Sequence, residues 1–307
     1  MAECKQRWAV VDMGSNTVRL CVYEVSGPGK YNRIATSKFA VGLASYVDEA
    51  NVLVPGGLKA ASRALKKLTE MAVLMDCQRV MVFATGAARN CSNSDEVIDA
   101  LQKKCGYPIE VISGRDEARL SLRGALQTVD CQSGLFFDIG GGSTELMTLK
   151  RGTYKEGESI PMGSLSSWSK YVKNILPEEG ELSALESAMS ILIDSCGVDL
   201  ARHERVCGIG GTMRLALKVS KALRNDDSDN REVDMDDFDR IFSLLESDPI
   251  RLSSMLLQLN PARVHTFLPG CIIAQEILRK SGCGKIIVAK SGLREGYLLS
   301  KLDELAS

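Results

Sequence analysis

The sequence predicts an α/β protein built from two related halves, and two observations carry that prediction. A strand ending in an aspartate, a short turn rich in glycine and hydroxyl residues, and a second strand occur at 8–25 and again at 134–149. Elsewhere, short apolar segments alternate with segments whose apolar residues recur at helical spacing. The chain of 307 residues is long enough for two domains. We therefore expect one acidic hairpin on each side of a central cleft.

In the first half, alternating apolar residues predict strands, and apolar residues at every third or fourth position predict helices. The polar, glycine-containing stretch 127–134 is the best candidate for a domain boundary. It gives an N-terminal domain of residues 1–127 and a C-terminal domain of residues 128–307. The predicted strands lie at 8–25 (two strands and their turn), 31–39, 79–84 and 109–112, and the predicted helices at 55–75, 94–105 and 115–126.

The second half repeats the pattern up to an acidic segment. Residues 224–239 are strongly acidic, which favours a solvated loop leading into a helix near Phe238; a metal-binding acidic loop is the alternative. Pro261 and Pro269 are expected to interrupt the chain before its last strand and helix. The predicted strands lie at 134–149 (two strands and their turn), 205–209 and 285–289, and the predicted helices at 165–172, 179–197, after 210–212 and at 295–305.

Charge and composition exclude several classes of protein. The 38 basic and 39 acidic residues nearly cancel, so no basic field indicates binding to nucleic acid or to a membrane surface. The best candidate for an export signal, Trp8 to Val11, is interrupted by Asp12, and no apolar stretch reaches the roughly 18 residues of a membrane span. We expect a cytoplasmic protein with reduced cysteines. With two histidines, neither of them near a cysteine pair, a metal would need carboxylate ligands.

The two hairpin turns have the composition of phosphate-binding loops. Glycine lets backbone N–H groups approach an oxyanion closely, and hydroxyl groups add donors. Each turn follows an aspartate, Asp12 or Asp138, that can hold a hydrated Mg²⁺. Two such turns facing each other supply the positioning and charge neutralisation that phosphoryl transfer requires. The candidate phosphate-binding residues are Gly14, Ser15, Asn16 and Thr17 in the first turn and Gly140, Gly141, Gly142, Ser143 and Thr144 in the second.

With four further motifs, the chain resembles the exopolyphosphatase and guanosine pentaphosphate phosphohydrolase (Ppx/GppA) family. The resemblance extends from about Trp8 to Leu299. It implies two ribonuclease H-like α/β domains around a cleft, the fold of the actin-like and sugar-kinase-like ATPases. The further motifs are FATGAAR at 83–89, ISGRDEARL at 112–120, GIGGT at 208–212 and GLREG at 292–296.

The resemblance also implies which carboxylates act. It makes Glu117 the catalytic group that orients or deprotonates the attacking water, a role that suits phosphoanhydride hydrolysis. Its neighbour Asp116 projects about 100° away on a helix, so both cannot face the cleft equally. Glu145, after the second turn, is implied to lie beside the metal or the water; an exposed charge on an edge strand is the alternative. With Asp12 and Asp138, Glu145 completes the candidate metal ligands.

Basic groups and a third glycine turn complete the candidate site. Arg89 could bind phosphate oxygens through two N–H groups at once. Arg19 could do the same, or form a structural ion pair. Arg294 and Glu295 resemble an ion pair that stabilises the last helix rather than catalytic groups. The third turn, Gly210, Gly211 and Thr212, is implied to lie near the distal phosphates, with a structural role as the alternative.

These features predict hydrolysis of terminal phosphate from inorganic polyphosphate with Mg²⁺. Guanosine pentaphosphate is the alternative substrate, and a binding protein for guanosine tetra- or pentaphosphate with weak activity, or a kinase of the same superfold, are the other functions to consider. The chain departs from the family pattern at Gly42, His265 and Lys290. Longer members of the family carry further helical domains, so a chain ending at Ser307 is expected to favour short polyphosphates. A homodimer is also expected.

Overall fold

The computed structural model describes residues 5–27, 29–201 and 203–306. The chain folds into two compact units. The first contains residues 1–120 together with 294–307, and the second contains residues 121–293. The expected boundary after residue 127 therefore differs by seven positions from this division, and the last helix belongs to the first unit. Local composition gave no indication that the chain returns to its first unit.

The first unit is built on a five-stranded sheet with the order β3-β2-β1-β4-β5. β1, β2 and β3 are antiparallel neighbours, whereas β4 and β5 run parallel to β1. The strands are β1 (Gln6–Met13), β2 (Thr17–Gly27), β3 (Lys30–Ala40), β4 (Arg79–Ala84) and β5 (Ile109–Val111). The helices are α1 (Pro55–Leu74), α2 (Gly86–Asn90), α3 (Ser94–Cys105), α4 (Gly114–Ala125) and α11 (Leu293–Ala306), and the division between the units falls within α4.

The core of the first unit explains why these segments fold as they do. β1 is apolar at consecutive positions and fully buried from Trp8 onward, as expected for a central strand covered on both faces. β3 alternates between exposed and half-buried residues, which is typical of an edge strand. On α1, the buried residues Ala61, Leu65, Leu68 and Ala72 recur at the helical spacing and belong to the same apolar cluster as β1.

The second unit repeats this sheet and adds one strand. Its order is β10-β11-β9-β6-β7-β8, so β8-β7-β6-β9-β11 corresponds to β3-β2-β1-β4-β5. The orientations correspond as well: β6, β7 and β8 are antiparallel, and β9 and β11 run parallel to β6. The strands are β6 (Gly134–Ile139), β7 (Thr144–Lys150), β8 (Thr153–Ile160), β9 (Val206–Ile209), β10 (Glu232–Asp234) and β11 (Lys285–Val288). The internal repeat expected from the two hairpins is thus confirmed.

The second unit departs from expectation in several places. Pro269 lies inside a buried helix instead of interrupting the chain. The acidic segment 224–239 leads into a helix near Phe238 as expected, but the part before that helix is not all loop, because it contains β10. The strand β8 and two of the helices were also not predicted from the sequence. The helices are α5 (Ser164–Tyr171), α6 (Glu179–Ser195), α7 (Gly210–Arg224), α8 (Met235–Ser247), α9 (Pro249–Leu259) and α10 (Val264–Ser281).

Within the described residues, no helix is both long enough and apolar enough to cross a membrane.

The acidic segment folds because one of its carboxylates is buried and paired. Asp237 is fully buried in the first turn of α8, where its Oδ2 accepts a hydrogen bond from Nη1 of Arg224 at 2.6 Å. Its side chain also accepts from the backbone N–H of Asp234, and the Asp234 carboxylate accepts from the backbone N–H of Asp237. This reciprocal cap fixes the start of the helix. Burial raises the pKa of Asp237 against the lowering effect of these partners.

We expect Arg224→Met to destabilise the protein by on the order of 3 kcal/mol at neutral pH, because it leaves the Asp237 charge buried without its main partner. A raised carboxyl pKa means that the folded state binds the proton more tightly, so the loss should shrink as the pH falls and Asp237 becomes neutral. Urea unfolding at pH 7 and pH 4.5 measures both effects. Arg240→Met is the control: this half-exposed cation lies 3.5 Å from Asp237 Oδ1 and should contribute about 1 kcal/mol or less. Equal losses at both pH values would contradict the assignment.

Candidate functional site

The first turn is held rigidly by backbone hydrogen bonds. The N–H of Gly14 donates to the carbonyl oxygen of Thr17 at 3.1 Å and closes the hairpin between β1 and β2. The carbonyl oxygen of Asn16 accepts from the N–H groups of Val41 and Gly42, at 3.0 and 2.8 Å. The segment after β3 therefore fixes the position of the turn. This segment includes Gly42, where the chain departs from the family pattern.

The hydroxyl oxygen of Ser15 forms a hydrogen bond within the protein. Its Oγ accepts a hydrogen bond from the N–H of Ala87 at 2.9 Å, which joins the first turn to the start of α2. Gly86 has a positive φ of 49°, and a Cβ there would lie 2.1 Å from Ser15 Oγ. Only glycine fits this close approach. Ser15, expected as a phosphate ligand, therefore has a structural partner.

Asp12 forms an ion pair that the sequence did not predict. Its Oδ2 lies 2.7 Å from Nη1 of Arg294, the residue that opens the return of the chain to this unit. Arg294 and Glu295 were expected to pair; instead Glu295 accepts hydrogen bonds from Tyr23 and Arg33, at 2.9 and 3.4 Å. A carboxylate engaged by a guanidinium is a weaker ligand for a cation. The ion pair therefore makes Asp12 a poorer metal candidate than Asp138.

Three buried donor nitrogens of the first unit have no hydrogen-bond partner among the described residues. They are Nδ2 of Asn16, in the first turn, and the Nε atoms of Arg19 and Arg294. Arg19 lies directly opposite Asp12 across the hairpin. Burial, and after it the charge of Arg294, lower the pKa of Arg19, while Asp12 raises it. Burial alone lowers the pKa of Arg294, but the surrounding groups, with Asp12 foremost, raise it by more.

We call the three residues that carry these donors the first-turn donor cluster (Asn16, Arg19 and Arg294). Arg294 pairs with the carboxylate of Asp12, and Arg19 lies opposite the same aspartate across the hairpin, so two guanidinium groups accompany one carboxylate. The cluster therefore has an excess of positive charge. Buried donors without partners cost free energy, and an anion with several oxygens can satisfy them together. Arg294 was not among the predicted ligands, and its only sequence signal was the GLREG motif.

The carboxylate assigned to water activation is held by Arg89. Glu117, in the first turn of α4, accepts a hydrogen bond on Oε2 from Nη1 of Arg89 at 2.7 Å. The two side chains are only 12% and 15% exposed. Nη1 also donates to the carbonyl oxygen of Ile112 at 2.9 Å, and Nε donates to Oδ1 of Asn90 at 2.9 Å. In contrast, Asp116 is half exposed and accepts from Ser113 and Arg119. The alternative carboxylate is thus directed elsewhere.

The second turn packs against the start of α5. The carbonyl oxygen of Gly141 accepts from the N–H groups of Leu165 and Ser166, at 2.8 and 2.9 Å. A Cβ on Gly163 would come within 2.7 Å of the backbone of this turn, so the approach requires glycine. The buried hydroxyl of Thr144 donates to the carbonyl oxygen of Met162 at 2.7 Å. Thr144, expected to bind phosphate, therefore serves to anchor β7.

Asp138 and Glu145 are the acidic pair of the second hairpin. They lie directly opposite each other on β6 and β7, and Ser159 lies opposite Glu145 on β8. Glu145 is 1% exposed, and its Oε1 accepts hydrogen bonds from Ser143 at 2.6 Å and from Ser159 at 3.0 Å. Oδ2 of Asp138 accepts from Ser121 at 3.1 Å. The exposed surface charge that was the alternative for Glu145 is thus wrong.

This donor set suits a hard divalent cation such as Mg²⁺. Like charges directly opposite each other in a sheet are destabilising, and a cation relieves the repulsion. Mg²⁺ is commonly held by one or two carboxylates, with water and substrate phosphates completing its coordination. Within residues 5–27, 29–201 and 203–306 there is no group of three or more histidine, cysteine, aspartate or glutamate side chains that could hold a metal. Water and phosphate oxygens would have to supply most of the ligands.

The third glycine turn borders this acidic pair. Gly210 has a φ of 90°, and a Cβ there would lie 2.4 Å from Oδ1 of Asp138. A Cβ on Gly211 would lie 2.5 Å from the guanidinium of Arg263. Nη1 of Arg263 donates to the buried hydroxyl of Thr212 at 3.2 Å. The turn therefore has a clear structural use: it lets α7 begin against the carboxylate. Arg263 is a neighbour of the site that the sequence analysis did not select.

Known proteins share both the sequence and this architecture. Exopolyphosphatase 1 of Mycobacterium tuberculosis is 25% identical over 317 residues, covering 98% of this chain and 89% of that protein. Among solved structures, an exopolyphosphatase from Cytophaga hutchinsonii has a TM-score of 0.82 at 22% identity and covers 97% of this chain and 98% of that one. The Ppx/GppA family member of Aquifex aeolicus has a TM-score of 0.76 at 23% identity, covering 99% of both chains. At these identities the solved structures show the fold alone.

A family model also matches most of the chain. The model of the Ppx/GppA phosphatase family matches residues 22–305, which include the second and third turns, Arg89, Glu117 and Arg294. The resemblance found in the motifs is thereby confirmed, and the solved structures confirm the two-sheet α/β fold. The chain belongs to the Ppx/GppA phosphatase family and is a hydrolase.

Proposed function

We propose that this phosphatase removes the terminal phosphate of inorganic polyphosphate, with Mg²⁺ and with a water molecule oriented by Glu117. The observation that carries the proposal is the first-turn donor cluster, whose three buried nitrogens lack partners among the described residues. A terminal phosphate has several oxygens and about two negative charges, which suits buried cationic and amide donors that lack partners. The curated relatives named as exopolyphosphatases support the same substrate.

The two hairpins differ in a way that suits this reaction. In the first, the residue opposite the aspartate is Arg19; in the second, it is Glu145. The first hairpin therefore provides positive charge for a phosphate, and the second provides negative charge for a cation. Mg²⁺, when bound, would neutralise phosphate charge as it shifts during bond breaking. The residues of this chain that would hold it are Asp138 and Glu145.

Glu117 is the proposed acceptor of the proton from water. Hydrolysis of a phosphoanhydride requires a water in line with the leaving oxygen, and a fixed carboxylate can both aim that water and accept its proton. The water then adds to the terminal phosphorus, the bridging P–O bond breaks, and the shortened polyphosphate leaves. The hydrogen bond from Arg89 supplies the fixed orientation of the carboxylate.

Phosphate release from polyphosphates of defined length tests the substrate, with guanosine pentaphosphate in parallel. Because the net charge is −1 and the sequence gives no sign of an extended basic track, we expect chains of a few units to be hydrolysed at least as efficiently as chains of hundreds. Activity should require Mg²⁺ and disappear when it is chelated. A kcat/KM that rises steadily with chain length would contradict the preference for short chains. Preferential release from guanosine pentaphosphate would replace polyphosphate as the substrate.

Arg19→Met tests the donor cluster directly. We expect binding of tripolyphosphate to weaken by about 10- to 100-fold, because a charge-assisted contact to phosphate is lost. Titration calorimetry with a non-hydrolysable analogue measures this. Arg79→Met is the matched control, since Arg79 pairs with Trp8 at the other end of β1 and lies over its ring. Unchanged affinity in Arg19→Met would leave Arg19 as a structural residue.

Glu117→Gln tests the assigned base. The amide has the same shape but cannot take up the proton, so we expect kcat to fall by about 10²- to 10⁴-fold with substrate affinity retained. Single-turnover phosphate release and analogue binding measure the two quantities. Turnover near that of the parent in a folded variant would remove Glu117 from the mechanism and direct attention to Glu145.

A further inference from the structure

Arg89 makes more contacts with the protein than a phosphate-binding arginine needs. It lies on α2, a helix of five residues that follows β4. Its guanidinium contacts Asn90 on the same helix, the backbone of Ile112 after β5, and Glu117 on α4. These three contacts join separate elements of the first unit through one side chain. The side chain is 15% exposed, so water competes with them only weakly.

The distribution of these contacts over the guanidinium decides what it can bind. An arginine grips phosphate with two parallel N–H groups, either Nε with Nη2 or Nη1 with Nη2. In Arg89, Nε donates to Asn90, and Nη1 donates to both Ile112 and Glu117. Each of the two pairs therefore has one member in use. A phosphate could be gripped bidentately only by breaking a contact that holds Glu117 or Asn90.

Arg19 is the opposite case within the same unit. Its buried Nε has no partner among the described residues, so a pair of N–H groups that includes Nε is available to a phosphate. The sequence predicted phosphate binding for Arg89 and either phosphate binding or a structural ion pair for Arg19, and the contacts of the two arginines differ. Arg19 has a donor without a partner among the described residues, whereas Arg89 donates to the carboxylate of Glu117 and to two neighbouring groups.

We propose that Arg89 is a positioning residue that orients the carboxylate of Glu117 and does not bind substrate phosphate. The proposal rests on the function proposed above, in which Glu117 aims and deprotonates water. A glutamate has several rotatable bonds, and a base that leaves its productive rotamer loses the alignment on which the rate depends. Ile112 and Asn90 hold the guanidinium in place, and the guanidinium holds Oε2.

A double-mutant cycle with Arg89→Met and Glu117→Gln tests this role. In the parent background, we expect Arg89→Met to lower kcat by about 10- to 100-fold, because the carboxylate is no longer aligned. In the Glu117→Gln background, the same change should lower kcat by no more than about 2-fold, since the base through which Arg89 acts is already lost. The measured quantity is single-turnover phosphate release from tripolyphosphate.

Binding provides the second readout, independent of turnover. The dissociation constant of a tripolyphosphate analogue with methylene groups in place of its bridging oxygens should change by no more than about 2-fold in Arg89→Met. Arg89→Lys, which keeps a charge and a donor for Glu117, should recover part of kcat. Arg119→Met is the matched control, because Arg119 lies on the same helix as Glu117 and pairs with exposed Asp116. If Arg89→Met does not fold, Arg89→Lys takes its place in the cycle.

The possible outcomes separate the two proposals. Kinetic effects that multiply in the double variant, or analogue binding weakened by about 10-fold or more in Arg89→Met, would show that Arg89 contacts substrate and overturn the positioning role. If either of these outcomes is found while Glu117→Gln still loses turnover, the positioning role of Arg89 fails but the proposed function of Glu117 is retained. Parent-like turnover in Glu117→Gln alone would overturn the proposed base, and with it the role of Arg89.

Discussion

Each hairpin of this phosphatase depends on one constraint: the residue seven positions after the strand-ending aspartate lies directly opposite it. The antiparallel register sets this geometry in both units. Opposite residues in such a pair have Cβ atoms about 5 Å apart, so their charges interact strongly when the strands are buried. The pair is Asp12 with Arg19 in the first unit and Asp138 with Glu145 in the second. The same backbone geometry therefore supports a positively charged partner in one unit and a negatively charged partner in the other. The residue opposite the aspartate, Arg19 or Glu145, makes the difference.

The Asp12–Arg294 ion pair determines what the first unit can do with its aspartate. The two residues are 282 positions apart, and the contact brings the last helix to the end of the central strand. It occupies one oxygen of the carboxylate and adds a second guanidinium beside Arg19. As a result, Asp12 holds a guanidinium group in place beside Arg19. The second aspartate, supported by Ser121 and facing Glu145, keeps the acidic surroundings that a cation needs.

Local patterns predicted most elements of the fold, because the relevant signals are short in range. β4 and α3 begin and end at the predicted residues, and the repeated hairpin predicted a repeated sheet. Patterns failed where tertiary packing overrode them. Pro269 lies within α10 although a proline usually interrupts a helix, and Asp237 is buried within a segment whose composition is that of a solvated loop. Of the site, motifs identified Asp138, Glu145 and Glu117. The partners Ser121, Ser159 and Arg294 depend on contacts between distant segments and could not be read from spacing.

The arginines of the first unit show that a residue's role follows from which of its N–H groups the fold leaves unpaired. The sequence predicted phosphate binding for Arg89, phosphate binding or a structural ion pair for Arg19, and a structural ion pair for Arg294. In the fold, Arg19 and Arg294 each retain a buried Nε without a partner among the described residues, whereas Arg89 uses both Nε and Nη1 within the protein. Buried donors without partners favour an incoming anion, because the cost of burying them has already been met in the fold and the anion restores their hydrogen bonds. Donors that already have partners in the protein hold the arginine side chain in a fixed position. In the proposed mechanism, the unpaired donors of Arg19 and Arg294 would bind the terminal phosphate, and the paired donors of Arg89 would hold the carboxylate of Glu117 in place.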